Sequence, residues 1–309
     1  MYAARSSWLF ALCFAAAGIL DAQPPSRGPQ PEFVREAQQL VRQGKLTEAL
    51  AVYEQELKTS PDSVAANNGA GVILDLLGRG REAREHFARA IKSSTSPQQK
   101  AGAERAMAMS YAFDGDCAHA GEYEQMVFDY YVTAKDPYQQ GEIADEAGRV
   151  CIDAGDLDAA YDWYRKGHEA GLQEPDIKPE RTDLWNFRWE HAQARIAARK
   201  GKAAEAGKHV AAAKAILDND PEMAKAQAVF FPYLKGYVEF YAGHYRQALD
   251  DLEGANQNDP FIECLMGQAY EKLGEKDKAM EYYRKAAETT AHNPPAAYAR
   301  PFTRKKLGA

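Results

Sequence analysis

The sequence predicts an all-α solenoid of about seven helix pairs, and three observations carry that expectation. Glycine recurs at Gly44, Gly78, Gly115, Gly155, Gly201, Gly243 and Gly274, 31 to 46 residues apart. Five residues after each stands an alanine (Ala49, Ala83, Ala120, Ala160, Ala206, Ala248, Ala279), and seven before it a small residue (Ala37, Gly71, Ala108, Gly148, Ala194, Gly236, Gly267). Nine residues after it stand Tyr53, Phe87, Glu124, Tyr164, Val210, Leu252 and Tyr283, and twelve after it a residue that is mostly small. The last three columns are four and then three apart, which places them on one face of a helix that follows the glycine. A unit of two helices cannot bury its apolar face alone, so copies must stack. No alternating strand pattern competes with this periodicity.

Taken in order, residues 1–22 read as a signal peptide. Arg5 gives a weakly positive start, and Trp8 to Leu20 is an apolar run too short to span a bilayer comfortably. Leu20-Asp21-Ala22 is a usable cleavage site before Gln23, and Ala15-Ala16-Ala17 is a second option. The alternative is an uncleaved anchor. Residues 23–31 form a Pro-rich tether. The repeats occupy 32–293, and 294–309 is either a basic tail or a closing helix. In the first repeat Phe33, Ala37 and Leu40 share a face, and Gly44 allows the left-handed backbone that ends the first helix. Thr47 is placed to cap the second helix and Pro61 to stop it, with Pro260 ending the sixth repeat in the same manner. Breaks between units fall at Ser96-Pro97, Asp136-Pro137, Glu174-Pro175, Asp218 to Pro221, Asn258 to Pro260 and His292 to Pro295.

Net charge is −7, and loss of residues 1–22 removes one charge of each sign. That balance argues against a nucleic-acid binder, which carries a basic excess. Nothing after Leu20 is apolar enough to cross a membrane, so no stable span remains once the signal is cleaved. The signal implies export to an oxidising compartment, periplasmic or secreted. Cys117, Cys151 and Cys264 then remain. Cys117 opens the second helix of the third repeat, and Cys151 lies near the end of the neighbouring first helix. A Cys117–Cys151 disulfide is therefore geometrically possible if the Cα atoms approach within about 7 Å. Otherwise Cys151 fills a packing slot as a small hydrophobe.

These columns resemble the tetratricopeptide repeat family over about residues 32–293. Met266, Gly267 and Tyr270 followed by Ala279 and Tyr283 match the family motif closely. Ala49, Tyr53 and Pro61 match it too, as do Ala83 with Phe87 and Ala160 with Tyr164. The third repeat departs, with Glu124 in the aromatic slot, and the fifth departs with Gln193 and Val210. The resemblance implies a right-handed superhelix of antiparallel helix pairs, and protein or peptide recognition in a concave groove lined by first helices. The Lys/Asn clamp of one subgroup is not matched, since Val34, Gln38, Asn68 and Val72 stand on the corresponding stripe.

Offsets of ten, six and three residues before each glycine share a helix face and should line the groove. They place Asp145 and Arg149 in the fourth repeat, His191 and Arg195 in the fifth, Tyr233, Tyr237 and Phe240 in the sixth, and Cys264, Gln268 and Glu271 in the seventh. Arg188, Arg199 and Tyr241 flank them. Arg149, Arg188, His191, Arg195, Arg199, Tyr233, Tyr237 and Tyr241 are thus the candidate partner-binding residues, a cationic band beside an aromatic one. The competing reading makes the aromatics helix-packing core and the arginines a solvated face. Trp185 and Trp189 are expected to pack under the connection before the fifth repeat.

The histidines lack metal-binding spacing, no serine lies in a Gly-x-Ser-x-Gly turn, and Gly78-Arg79-Gly80-Arg81 lacks the elements of a phosphate loop. No cofactor or metal is implied. The expectation is a non-catalytic interaction scaffold, with a small-ligand or glycan receptor using the Arg/aromatic band as the second reading.

Overall fold

The computed structural model describes residues 30–308. The signal peptide expected at 1–22 and most of the 23–31 tether lie outside the described residues. Within them are sixteen helices and no strand. α1 (Glu32–Arg42) pairs with α2 (Leu46–Thr59), α3 (Val64–Leu76) with α4 (Gly80–Ser93), α5 (Pro97–Phe113) with α6 (Cys117–Thr133), and α7 (Pro137–Ala154) with α8 (Leu157–Gly171). α9 (Pro179–Arg199) pairs with α10 (Ala203–Asn219), α12 (Phe230–Tyr241) with α13 (Tyr245–Leu252), and α14 (Pro260–Lys272) with α15 (Lys276–Ala287). A short α11 (Pro221–Ala226) sits between the fifth and sixth pairs, and α16 (Pro294–Leu307) follows the seventh. Each pair packs on the next, so the whole is a solenoid.

All seven recurrent glycines have positive φ, from +70° to +92°. At Gly78 the turn closes with Arg79 N–H donating to Leu74 O and Gly78 N–H to Asp75 O, which satisfies carbonyls left open at the end of α3. Any side chain in that left-handed turn would be strained. The first helices of the third, fourth and seventh repeats open on a capping side chain followed by proline (Ser96 and Pro97, Asp136 and Pro137, Asp259 and Pro260), and α16 opens in the same way on Asn293 and Pro294. Proline is tolerated there because the first N–H of a helix has no intrahelical partner.

Two local expectations are corrected. α2 begins at Leu46 after Lys45, with no side-chain cap, so Thr47 lies inside the helix. Pro260 does not end the sixth repeat: α13 stops at Leu252 and Pro260 starts α14. Proline signals a boundary in either direction, and its side of the break depends on the preceding cap residue.

The column seven residues before each glycine and the column nine after it meet. A Cβ added to Gly71 would lie 2.6 Å from the Phe87 ring, one on Gly148 2.8 Å from Tyr164, and one on Gly267 2.6 Å from Tyr283. Gly236 faces Leu252 in the same way. The small residue is therefore a seat for the large side chain of the partner helix. Where the column carries alanine, the residue in the second column is Tyr53, Glu124 or Val210. Tyr53, opposite Ala37, instead lays its ring over Gly69 of α3. Trp185 is fully buried between Gly141 and Gly171 and donates from Nε1 to Glu174 in the connection before α9, at 2.7 Å.

Cys117 and Cys151 form a disulfide, with Cα atoms 4.9 Å apart, joining the start of α6 to the end of α7. Cys264 is free and buried.

Residues 294–307 form a helix that docks inside the solenoid. α16 packs on α14 and α15 and also on α5 and α7, the first helices of the third and fourth pairs. Ala296 and Ala297 join the apolar core of the first three repeats, and Ala299 joins that of the seventh. The seventh pair is thereby tied to the second, third and fourth.

Candidate functional site

The four inner helices α7, α9, α12 and α14 bring the candidate residues together as the offsets require. Arg149 of α7 lies over the Phe261 ring at 4.2 Å and near Tyr233 at 5.7 Å. The imidazole of His191 lies 5.4 Å from the Tyr233 ring, and Tyr233 meets Tyr237 edge-on at 5.9 Å. Arg195 donates from Nη2 to the Tyr164 hydroxyl at 2.8 Å, and Arg199 lies over Tyr241 at 5.1 Å. The cationic and aromatic bands exist and interleave.

Most of this band is interior, which corrects the expectation of an open groove lining. Arg149, Arg188, His191, Arg195, Tyr233 and Tyr237 are all buried, Arg195 and Tyr237 at 1% and 0% exposure. Curvature presses the inner helices against one another, and α16 lies over the remaining gap. Arg199 and Tyr241 alone among the eight are part-exposed. Beside them stand part-exposed Asp153 and Gln268, and Tyr298 of α16. Burial pushes the Tyr298 hydroxyl up, with the field of Asp153 adding to that rise and Arg199 opposing it.

Charges inside the band are mostly matched. Arg149 Nε donates to Asp153 at 2.8 Å, and Arg188 pairs with Glu142, with Asp145 at 3.6 Å. Burial pushes the Asp145 carboxyl up to about 7, against the lowering field of Arg188. Burial, reinforced by Arg195, holds His191 well below the ordinary imidazole value, so its ring is neutral and faces the Phe230 carbonyl at 3.3 Å. Arg188 Nε, Arg195 Nη1 and Gln227 Oε1 have no protein partner and line one small cavity of about 10 Å³. That volume admits a single water, and mixed donors and acceptors suit one. Among the described residues no three His, Cys, Asp or Glu side chains converge as a metal site, and no helix is long and apolar enough to cross a membrane.

Tyr164, Phe261 and Tyr298 belong to this assembly but were not foreseen there. Tyr164 stands in the packing column of α8, where its ring also carries the hydroxyl that holds Arg195. Phe261 lies outside the three offsets, and Tyr298 arrives on α16, whose position no local period reveals.

A family model described as tetratricopeptide repeat matches residues 34–99, and a second of the same description matches 264–293. Among solved structures the chain is similar to a tetratricopeptide repeat protein from Parabacteroides merdae ATCC 43184, at 16% identity and a TM-score of 0.50. That match covers 88% of this chain and 97% of the other. It is also similar to the apo form of RapI, at 13% identity and a TM-score of 0.52, over 89% of this chain and 97% of the other. At such identities the likeness is one of fold. No curated protein matches the sequence.

Proposed function

We propose that this chain, a tetratricopeptide repeat protein, is an exported, non-catalytic scaffold that holds a partner segment at the part-exposed rim of its Arg/aromatic band. The observation that carries the reading is Arg199. It stacks on Tyr241, and among the described residues no carboxylate lies within ion-pair distance of it. A half-buried guanidinium on an aromatic ring is a ready donor to a carboxylate from outside, with Tyr241 and Tyr298 offering apolar surface beside it. The partner is accordingly a segment with acidic and apolar residues. Export is supported by the apolar run from Trp8 to Leu20 and by the Cys117–Cys151 disulfide, which persists in oxidising compartments.

Arg195 and Tyr237 are unsuitable for testing this, because replacing buried residues perturbs the fold itself. Arg199→Gln is the informative substitution. It should abolish capture of the partner from native envelope extract, identified by mass spectrometry, while helicity and melting temperature stay near those of the unaltered chain. Undiminished capture would sink the assignment. The small-ligand reading gains no support from the cavity at the band, which is far below the hundreds of Å³ that such ligands occupy.

A further inference from the structure

Stacked helix pairs cover one another's edges, and the first pair has an edge that no described pair covers. In later pairs the residues four before and eight after the turn glycine pack toward the pair that precedes. Tyr270 and Tyr282 of the seventh pair join the apolar core around α12 and α13. Tyr111 of the third, stacked on Tyr123, lies under Arg84 of α4, whose guanidinium is 4.7 Å from the ring. The same two columns hold Leu40 and Val52 in the first pair, and both are part-exposed. Phe33, Ala51 and Val52 floor a groove of about 440 Å³ there, rimmed by Glu36, Gln55 and Glu56. Terminal units of a solenoid need a polar outer face to stay soluble alone, and this floor is apolar. The groove is formed by α1 and α2 and is separate from the inner band on α7, α9, α12 and α14.

The outer wall of the groove carries a symmetric pattern. On α2, Glu48, Ala51, Gln55 and Lys58 are all exposed and share one face, at spacings of three, four and three. That stripe has its midpoint at residue 53. When a second α2 runs antiparallel across it on a two-fold axis, Ala51 meets Gln55 and Glu48 meets Lys58, and each contact occurs twice. A parallel crossing would set Glu48 against Glu48 and Lys58 against Lys58. Lys58 donates to Gln55 at 3.1 Å, and among the described residues neither Glu48 nor Lys58 has an ion-pair partner. At the other wall, Arg35 and Gln38 of α1 donate to Gln30, at 2.6 and 3.0 Å. Those two residues lie on the side of α1 opposite Phe33 and Glu36, so Gln30 stands clear of the groove.

We propose that the α1/α2 edge is a docking surface for a second copy of this chain, which closes a dimer through antiparallel α2 helices. Burial of Phe33, Ala51 and Val52 drives the association, and the two Glu48–Lys58 pairs fix its direction and register. A contact of this kind uses the same patch on both copies, so assembly stops at two. The proposal goes beyond the rim at Arg199 and does not depend on it.

Light scattering on the purified full chain reads the mass directly. The mass should reach two copies by about 100 μM and fall toward one on dilution. Glu48→Lys or Lys58→Glu alone should weaken the dimer roughly five-fold or more, because each turns two attractions into two repulsions. Both changes together should restore it to within about two-fold. Ala51→Glu should weaken it roughly ten-fold or more, with helical circular dichroism unchanged because the position is exposed. A mass of one copy at every concentration overturns the proposal, and so does a mass beyond two copies. A dimer indifferent to the single reversals overturns it, as does a double reversal that fails to restore. A chain that dimerises only after removal of residues 1–29 assigns the groove to its own N-terminal segment and likewise overturns it. None of these readouts involves capture through Arg199, so loss of the rim assignment and loss of this one are separate results.

Discussion

Gly267 and Tyr283 show how one side chain fits the absence of another. Gly267→Ala would drive a Cβ into the Tyr283 ring, whose hydroxyl is tied to Glu271 at 2.6 Å and cannot easily swing away. The substitution should cost about 1–3 kcal/mol in urea denaturation, despite alanine's better helix propensity. Adding Tyr283→Val should cost less than the two single changes summed, because the fifth repeat already carries Ala194 and Val210 in the corresponding columns. Glu124 makes the same slot a titrating one. It is fully buried, and burial, then the neighbouring Glu146, raises its carboxyl well above the ordinary range. The folded chain keeps a proton there that the unfolded chain releases above about 4.5. Its contribution therefore falls as pH rises from about 4.5 through the raised value. Glu124→Gln should remove that slope, read as a smaller drop in urea midpoint between about pH 5 and about pH 8. These pairings were half legible: the columns were visible, but which glycine faces which ring requires two helices side by side.

Between elements, the disulfide fastens α6 to α7 across a separation of 34 residues. Closing a loop of that length stabilises by about 3–4 kcal/mol on a chain-entropy account. Reduction should therefore lower the urea midpoint, while the untreated protein should show Cys264 as the single free thiol by mass spectrometry among Cys117, Cys151 and Cys264. Equal midpoints with and without reductant would contradict that stabilising role. The element pattern was the most legible level of all. Turn glycines and cap–proline pairs act within a few residues, so their positions foretold where helices end and begin. The miss at Pro260 came from the same locality, because a proline between two helices is compatible with either. The short α11 was also missed, since six residues from Pro221 to Ala226 are too few to show a period.

For the whole molecule, closure is the feature that sets behaviour. An open solenoid interacts only between neighbours and can fray from an end. Here His292, in the connection before α16, lies 2.9 Å from Asp75, which also accepts from Ser110 at 2.8 Å, and its ring stacks on Phe113. His292→Ala should uncouple the C-terminal repeats from the second and third, turning one urea transition probed by hydrogen exchange into two, with the C-terminal repeats opening first. A single transition at all sites would show that closure is carried elsewhere.

The recurrence of glycine, small residue and large residue by itself determined that the chain is a stack of helix pairs, where each pair turns, and which side chains share the inner face. It did so because those properties depend on contacts a few residues apart. Only the tertiary structure decided that the inner face is mostly interior. Burial there comes from curvature and from α16, which with the connection before it is anchored at Leu76 and Asp75, more than two hundred residues away in the chain. Periodicity tells which residues point together, and what covers them is settled by segments that no local pattern connects.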